Sequence, residues 1–170
     1  MTAFTPDRSS QVTSIDPDAR EFVMQRTFAA PRERVFQAFA SCEAISQWWG
    51  PAGWTLPVCD MDFRPGGTWF YGMRSPDGAQ TAYGKTIYET IYAPELIVWR
   101  DYFADAIGNV LPDMPELHTT IEFIDLDGST RLRNVARFHT DEALQTVLSM
   151  GMEDGMAQSF DRLEEQVTTS

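Results

Sequence analysis

From residue 21 onward, apolar positions follow two periods in turn, and each change of period marks a new element. Residues 21–28 alternate, with Phe22, Met24, Arg26 and Phe28 on one face and Val23, Gln25 and Thr27 on the other. That alternation predicts an edge or half-buried strand. Ala30-Pro31 stops it, and Pro31 suits the first turn of a helix, where a missing N–H costs nothing. Val35, Phe36 and Phe39 then form one apolar stripe while Arg32, Glu33, Arg34 and Gln37 face water, predicting a short amphipathic helix. Ser41 can cap a second short helix carrying Ile45, Trp48 and Trp49 on its inner side, and Gly50-Pro51 ends it.

Beyond Trp54 the period is two. Strands are predicted over 54–63, 68–74, 82–92, 96–103, 117–124 and 130–138. Turns at Arg64-Pro65-Gly66-Gly67, Ser75-Pro76-Asp77-Gly78, Ala93-Pro94-Glu95 and Asp125-Leu126-Asp127-Gly128 separate them, apart from one longer connection over 104–116. Thr140 caps a long helix with Asp141 and Glu142 in its first turn. Leu144, Leu148, Met152, Met156, Phe160, Leu163 and Val167 recur every three or four residues, a stripe that must face the sheet. The predicted fold class is therefore α+β: a curved antiparallel sheet of six or seven strands around a long C-terminal helix, with two short helices after the first strand. A curved sheet cannot close on a straight helix at both ends, which leaves a cavity between them. Residues 1–20 show no period and read as a tail, ordered only if something docks it; 21–167 read as one domain.

Charge and composition narrow the partners. Thirteen Lys and Arg against 25 Asp and Glu give a net charge of −12, which repels nucleic acid and anionic membrane surfaces. No apolar run approaches the roughly 20 residues of a membrane helix, and no basic-then-apolar leader opens the chain, so a cytoplasmic protein without membrane insertion is expected. Cys42 and Cys59 are too few for a disulfide framework and show no paired spacing, so each reads as a small buried hydrophobe. Exposed strand edges would suit a symmetric homodimer.

Little in the sequence points to a standard catalytic centre. His118 and His139 lie at the ends of two paired strands with no HExxH or CxxC spacing, so no metal and no cofactor is expected. No GxSxG elbow accompanies the serines, and neither Gly66-Gly67 nor Gly50-Pro51-Ala52-Gly53 opens a helix as a phosphate loop would. The aromatic and methionine residues are more informative. Trp69, Tyr71 and Met73 share a strand face that would meet Met152, Met156 and Phe160 on the helix, with Trp49, Trp54 and Trp99 closing the ends. Five tryptophans and eight methionines supply more bulk and softness than tight packing needs, which favours a pocket. Asn134 shares an apolar face with Leu132, Ala136 and Phe138 and would serve as a polar handle. Glu89 would be a buried acid or base if Ile87 and Ile91 face inward with it. Gly151 and Gly155, one turn apart, would keep a helix face small or act as a hinge, and 104–116 would form a mobile rim.

Several of these segments occur in a known order. They are Arg26-Thr27-Phe28-Ala29-Ala30-Pro31-Arg32-Glu33-Arg34-Val35-Phe36, Trp48-Trp49-Gly50-Pro51, Asp62-Phe63-Arg64-Pro65-Gly66-Gly67 and Met73-Arg74-Ser75-Pro76-Asp77-Gly78. Asp101-Tyr102-Phe103-Ala104-Asp105-Ala106-Ile107-Gly108-Asn109 and Gln158-Ser159-Phe160-Asp161-Arg162-Leu163 follow. Together they resemble the proteins related to the activator of the heat-shock-protein-90 ATPase, a branch of the SRPBCC or START-like superfamily. The resemblance implies the helix-grip fold of the birch pollen allergen and an apolar pocket for a small hydrophobic or aromatic molecule. It also implies that the last helix usually carries a tryptophan where Met156 stands, so this cavity would be roomier. Two further activities occur among such proteins: cyclase/dehydratase chemistry on aromatic or polyketide-like substrates, and chaperone regulation. Fold alone does not choose between them.

Overall fold

The computed structural model describes residues 3–169. Alternating sequence produces one antiparallel sheet of eight strands: β1 (Val12–Asp16), β2 (Glu21–Phe28), β3 (Thr55–Met61), β4 (Thr68–Arg74), β5 (Thr81–Tyr92), β6 (Leu96–Ala104), β7 (Glu116–Asp125) and β8 (Thr130–Phe138). Their spatial order is β1-β2-β8-β7-β6-β5-β4-β3, so the first long strand closes on the last and the connections elsewhere are hairpins. Between β2 and β3 lie α1 (Arg32–Gln37) and α2 (Cys42–Ile45), the latter capped by Ser41, whose side chain accepts from the Ala44 N–H. After β8 come α3 (Asp141–Ser149) and α4 (Met152–Thr168). The α+β helix-grip architecture read from the sequence is the one observed.

Side chains on the concave face line up across strands, because antiparallel partners share a face. One such row runs Met24, Asn134, Ile121, Ile97; the next runs Phe22, Ala136, Thr119, Trp99, Tyr88. A third holds Phe138, Leu117, Asp101, Thr86 and Trp69. With Val35, Phe36, Phe39 and Trp48 from the short helices and Phe160, Leu163 and Val167 from α4, these rows make the core.

Four expectations need correction. The sheet has eight strands rather than six or seven, and the additional one is β1, inside the stretch read as a tail. It pairs with β2 from Val12 opposite Gln25 to Asp16 opposite Glu21, and leaves Val12 and Ile15 exposed, so it carries no burial period to detect. The C-terminal helix is broken. Thr140 caps α3 by accepting from the Ala143 N–H, but Gly151 takes a left-handed φ of +86° and starts α4 in a new direction. The cysteines are neither free nor fully buried: Cys42 and Cys59 form a disulfide that ties α2 to β3. Residues 105–115 are held rather than loose. Asp105 accepts from the N–H groups of Ile107 and Asn109, and Leu111 N–H donates to the Phe103 carbonyl. This connection also lies outside the concave face, with Gly108 near Phe70 and its carbonyl accepting from Lys85.

Candidate functional site

A cavity of about 310 Å³ lies between the concave face of the sheet and α4. Its wall is built in three parts. The sheet supplies Tyr71, Met73, Phe103, Ile121 and Asn134; the short helices and their exit supply Phe39, Trp48, Trp49, Gly50 and Pro51. The helical arm supplies Val147, Met150, Gly151, Met152, Gly155, Met156, Ser159 and Phe160. The lining is predominantly apolar, and four methionines give it a surface that adapts to shape.

The tryptophan corner is placed by α4. Ser159 Oγ donates to the Trp48 carbonyl at 3.1 Å and accepts from the Gly50 N–H at 3.2 Å. Gln158 accepts from the Ala52 N–H, and Arg162 fans its guanidinium across the carbonyls of Trp49, Gly50 and Pro51 at 3.0–3.3 Å. A turn that left-handed Gly50 has freed from secondary structure thus recovers its backbone partners from one helix face. Held this way, Trp49 meets Trp69 edge-on at 4.9 Å between ring centroids, and Tyr71 at 5.8 Å. Tyr71 lies flat over Gly84, where a Cβ would come within 2.4 Å of the phenol, so this strand position admits only glycine.

Of the residues singled out in the sequence, Trp49, Tyr71, Met73, Asn134, Met152, Met156 and Phe160 are brought together around the cavity. Three are not. Trp69 and Trp99 are buried behind the lining, and Trp54 is half-buried beside Gly50. Asn134 is 7% exposed, and its amide reaches Met156 Sδ at 3.7 Å, a weak acceptor that leaves capacity for a better one.

Glu89 is not in the cavity. A register shift between Tyr88 and Thr90 turns Tyr88 inward and Glu89 outward, where it pairs with Arg100 and accepts from His118 at 2.9 Å. The His118 hydrogen bond, helped by Arg100, holds its carboxyl below the ordinary carboxylate value, the opposite of a buried acid. The acid that does face inward is Asp101. It lines a second cleft of about 150 Å³ that adjoins the first and shares Tyr71, Met73, Phe103, Val147 and Met152 with it. Asp101 Oδ1 accepts from Thr86 Oγ1 at 2.5 Å and Oδ2 from Trp99 Nε1 at 2.9 Å. Burial pushes its carboxyl up to about 6, against the pull of those two donors. Tyr71 is pushed up by burial and by the charge of Asp101, and Tyr88 likewise. The pattern carried a usable signal: Ile97, Trp99, Asp101 and Phe103 share one face of their strand, the argument that exposed Asn134.

Among the described residues no group of three or more His, Cys, Asp or Glu could hold a metal ion. His118 serves Glu89, and His139 stands 3.7 Å from Glu116. No helix among those residues is long and apolar enough to cross a membrane.

A curved antiparallel sheet, two short helices in the first crossover and a cavity under the C-terminal helix define a helix-grip domain of the START-like class. The profile described as Activator of Hsp90 ATPase homolog 1-like protein matches residues 29–168, and the chain belongs to that family. Solved structures agree. A protein of Mycobacterium smegmatis is 31% identical with a TM-score of 0.86, over 94% of this chain and 97% of that one. One from Arthrobacter aurescens is 28% identical with a TM-score of 0.85, over 94% and 92%. One from Staphylococcus epidermidis is 30% identical with a TM-score of 0.77, over 92% and 94%. A comparison with curated proteins returns no match.

Proposed function

We propose that the protein binds a small hydrophobic or aromatic molecule between the sheet and α4. The observation that carries this reading is the size and lining of the cavity. An apolar cavity of about 150 Å³ is enough to hold benzene, so about 310 Å³ suits a body of roughly two rings. Its lining combines soft methionines with an under-used amide, Asn134, the pattern of a site that grips by shape and orients by a polar contact. The family description refers to activation of the Hsp90 ATPase, but the large exposed apolar side chains are divided among β1 (Val12, Ile15), the 105–115 connection (Ile107, Val110, Leu111) and single positions such as Tyr92 and Met150. They give a protein-docking surface less support than the cavity gives a ligand.

Met156→Trp tests this directly, because Met156 lines the cavity and an indole there would fill much of it. An uncharged naphthalene dye should bind the native protein at one site and be lost from the variant, whose unfolding midpoint should match or exceed that of the native protein. Dye bound equally by a folded variant would refute the reading. Native mass spectrometry of protein from its own host, followed by denaturing release, would then identify what occupies the site.

A further inference from the structure

In a mostly apolar wall, Asp101 is a half-buried carboxylate with no counter-charge. Both oxygens are held by neutral donors, the Thr86 hydroxyl and the Trp99 indole. The groups facing it are Tyr71 from β4, Tyr88 and Thr86 from β5, Leu117 from β7, and Val147 and Met152 from the helices. None of these is a cation, and its chain neighbour Arg100 turns to the other face to meet Glu89. A buried carboxylate is ordinarily compensated by a guanidinium, an ammonium or several backbone N–H groups, because desolvation without a partner costs several kcal/mol. Here compensation is partial. Each carboxylate oxygen retains a lone pair, and the cleft that Asp101 lines opens beside the larger cavity. Behind the lining, Trp69 Nε1 of the same row and Tyr88 Oη of the next are buried without a hydrogen-bond partner. Asp101 alone thus makes one side of the binding space electronegative, although most of the lining is apolar.

We infer that Asp101 is the polar anchor of the cavity, selecting aromatic ligands that carry a hydrogen-bond donor at one end, above all a protonated amine. The inference rests on the cavity being a ligand site and adds the chemical class of the ligand. An ammonium group seated against Asp101 supplies the missing counter-charge, while the rings occupy the space under Met152 and Met156. A carboxylate or sulfonate in the same position would face like charge in a poorly screened setting and be rejected. Selection of this kind follows from leaving a poorly solvated charge unpaired unless the right partner arrives.

The test uses four probes of one shape: naphthylmethylamine, naphthalenemethanol, methylnaphthalene and naphthoate, titrated by tryptophan fluorescence and calorimetry. At about pH 8 the native protein should bind the amine at least tenfold more tightly than methylnaphthalene, with the alcohol between and naphthoate weakest. The preference for the amine should weaken as the solution is acidified through pH 6 toward about 5, since protonation of Asp101 removes the charge it answers. Asp101→Asn should bind methylnaphthalene as the native protein does and lose the amine preference. Should the asparagine variant fail to fold, the pH series on the native protein decides alone. Equal binding of all four probes, or an amine preference that neither acid nor Asp101→Asn removes, overturns the inference and leaves the cavity reading standing. Binding of none of the four overturns both.

Discussion

Asp101 makes the protein's stability depend on pH in an unusual direction. Burial raises the carboxyl from 3.8 to about 6, a difference worth on the order of 3 kcal/mol between the two protonation states. Because the folded value lies above the unfolded one, the folded state holds the proton more tightly between those limits. Stability from this group is present at low pH and is lost as pH rises through about 4 to 6. Asparagine removes the charge while keeping the shape: its oxygen can accept from Trp99, and Thr86 can turn to accept from its amide. Asp101→Asn should therefore be more stable than the native protein at about pH 8, by on the order of 1–3 kcal/mol in urea unfolding, and the gain should shrink toward zero near pH 4. A gain that does not change with pH would show that packing, not charge, is responsible. Asn134 was legible because an amide stood out among Leu132, Ala136 and Phe138, and Asp101 met the same criterion on its own strand. Glu89 was misread for a different reason. Its inward direction assumed an unbroken period of two, and a bulge adds one residue that no propensity announces.

The helical arm shows how far periodicity carries and where it stops. Leu144, Leu148, Met152 and Met156 keep their spacing straight through the break at Gly151, so the stripe reads as one helix although the backbone turns a corner there. Glycine in the sequence signalled a weak point, but only the left-handed φ distinguishes a junction from a tolerated helical glycine. The disulfide was equally invisible. Cys42 and Cys59 are 17 residues apart with a turn between them, and nothing in that spacing brings α2 beside β3. The segments around Trp48 and Gln158 were recognisable separately; their mutual hydrogen bonding is a property of the folded chain. Its consequence can be measured through Arg162, whose Nη1 sits among three carbonyls of the corner. Arg162→Met keeps the aliphatic stem and removes the donors, leaving those carbonyls to find other partners. We expect a loss of about 2–3 kcal/mol in urea unfolding and a weaker dye signal, since Trp49 and Pro51 would no longer be held against the cavity. Unchanged stability with unchanged dye binding would mean that Ser159 and Gln158 suffice.

The N-terminal segment joins the fold through a buried cation. Arg26, with no exposed side-chain surface, lies within the inner face of β2 between Phe22, Met24 and Phe28, and its guanidinium is about 6 Å from the rings of Phe28 and Phe160. It donates to Asp161 at 2.9 Å, to the Ala157 carbonyl at 3.2 Å and twice to Gln11 Oε1. Arg8 grips the same Asp161 with two nitrogens, and Glu164 accepts from the Asp7 N–H. Burial pushes the Asp161 carboxyl up, but the two arginines outweigh it and hold it below its ordinary value. A depressed carboxylate contributes stability above its unfolded value and loses it as pH falls through the folded one, so acid should loosen this docking. The N-terminal stretch therefore looked like a tail for a physical reason: from residue 3 on, it is anchored by polar contacts of Asp7, Arg8 and Gln11 and by the β1 ladder, which leave no apolar period behind. Gln11→Ala should cost about 1–3 kcal/mol, because it strips two hydrogen bonds from a cation that cannot reach water. The same change in an Arg26→Met background should cost only a few tenths of a kcal/mol, since the group that Gln11 serves is gone, and this non-additivity identifies the pair. If the two losses simply add, Gln11 acts through the placement of β1 rather than through Arg26, and the buried cation is satisfied by Asp161, Ala157 and the nearby Glu164 carboxylate.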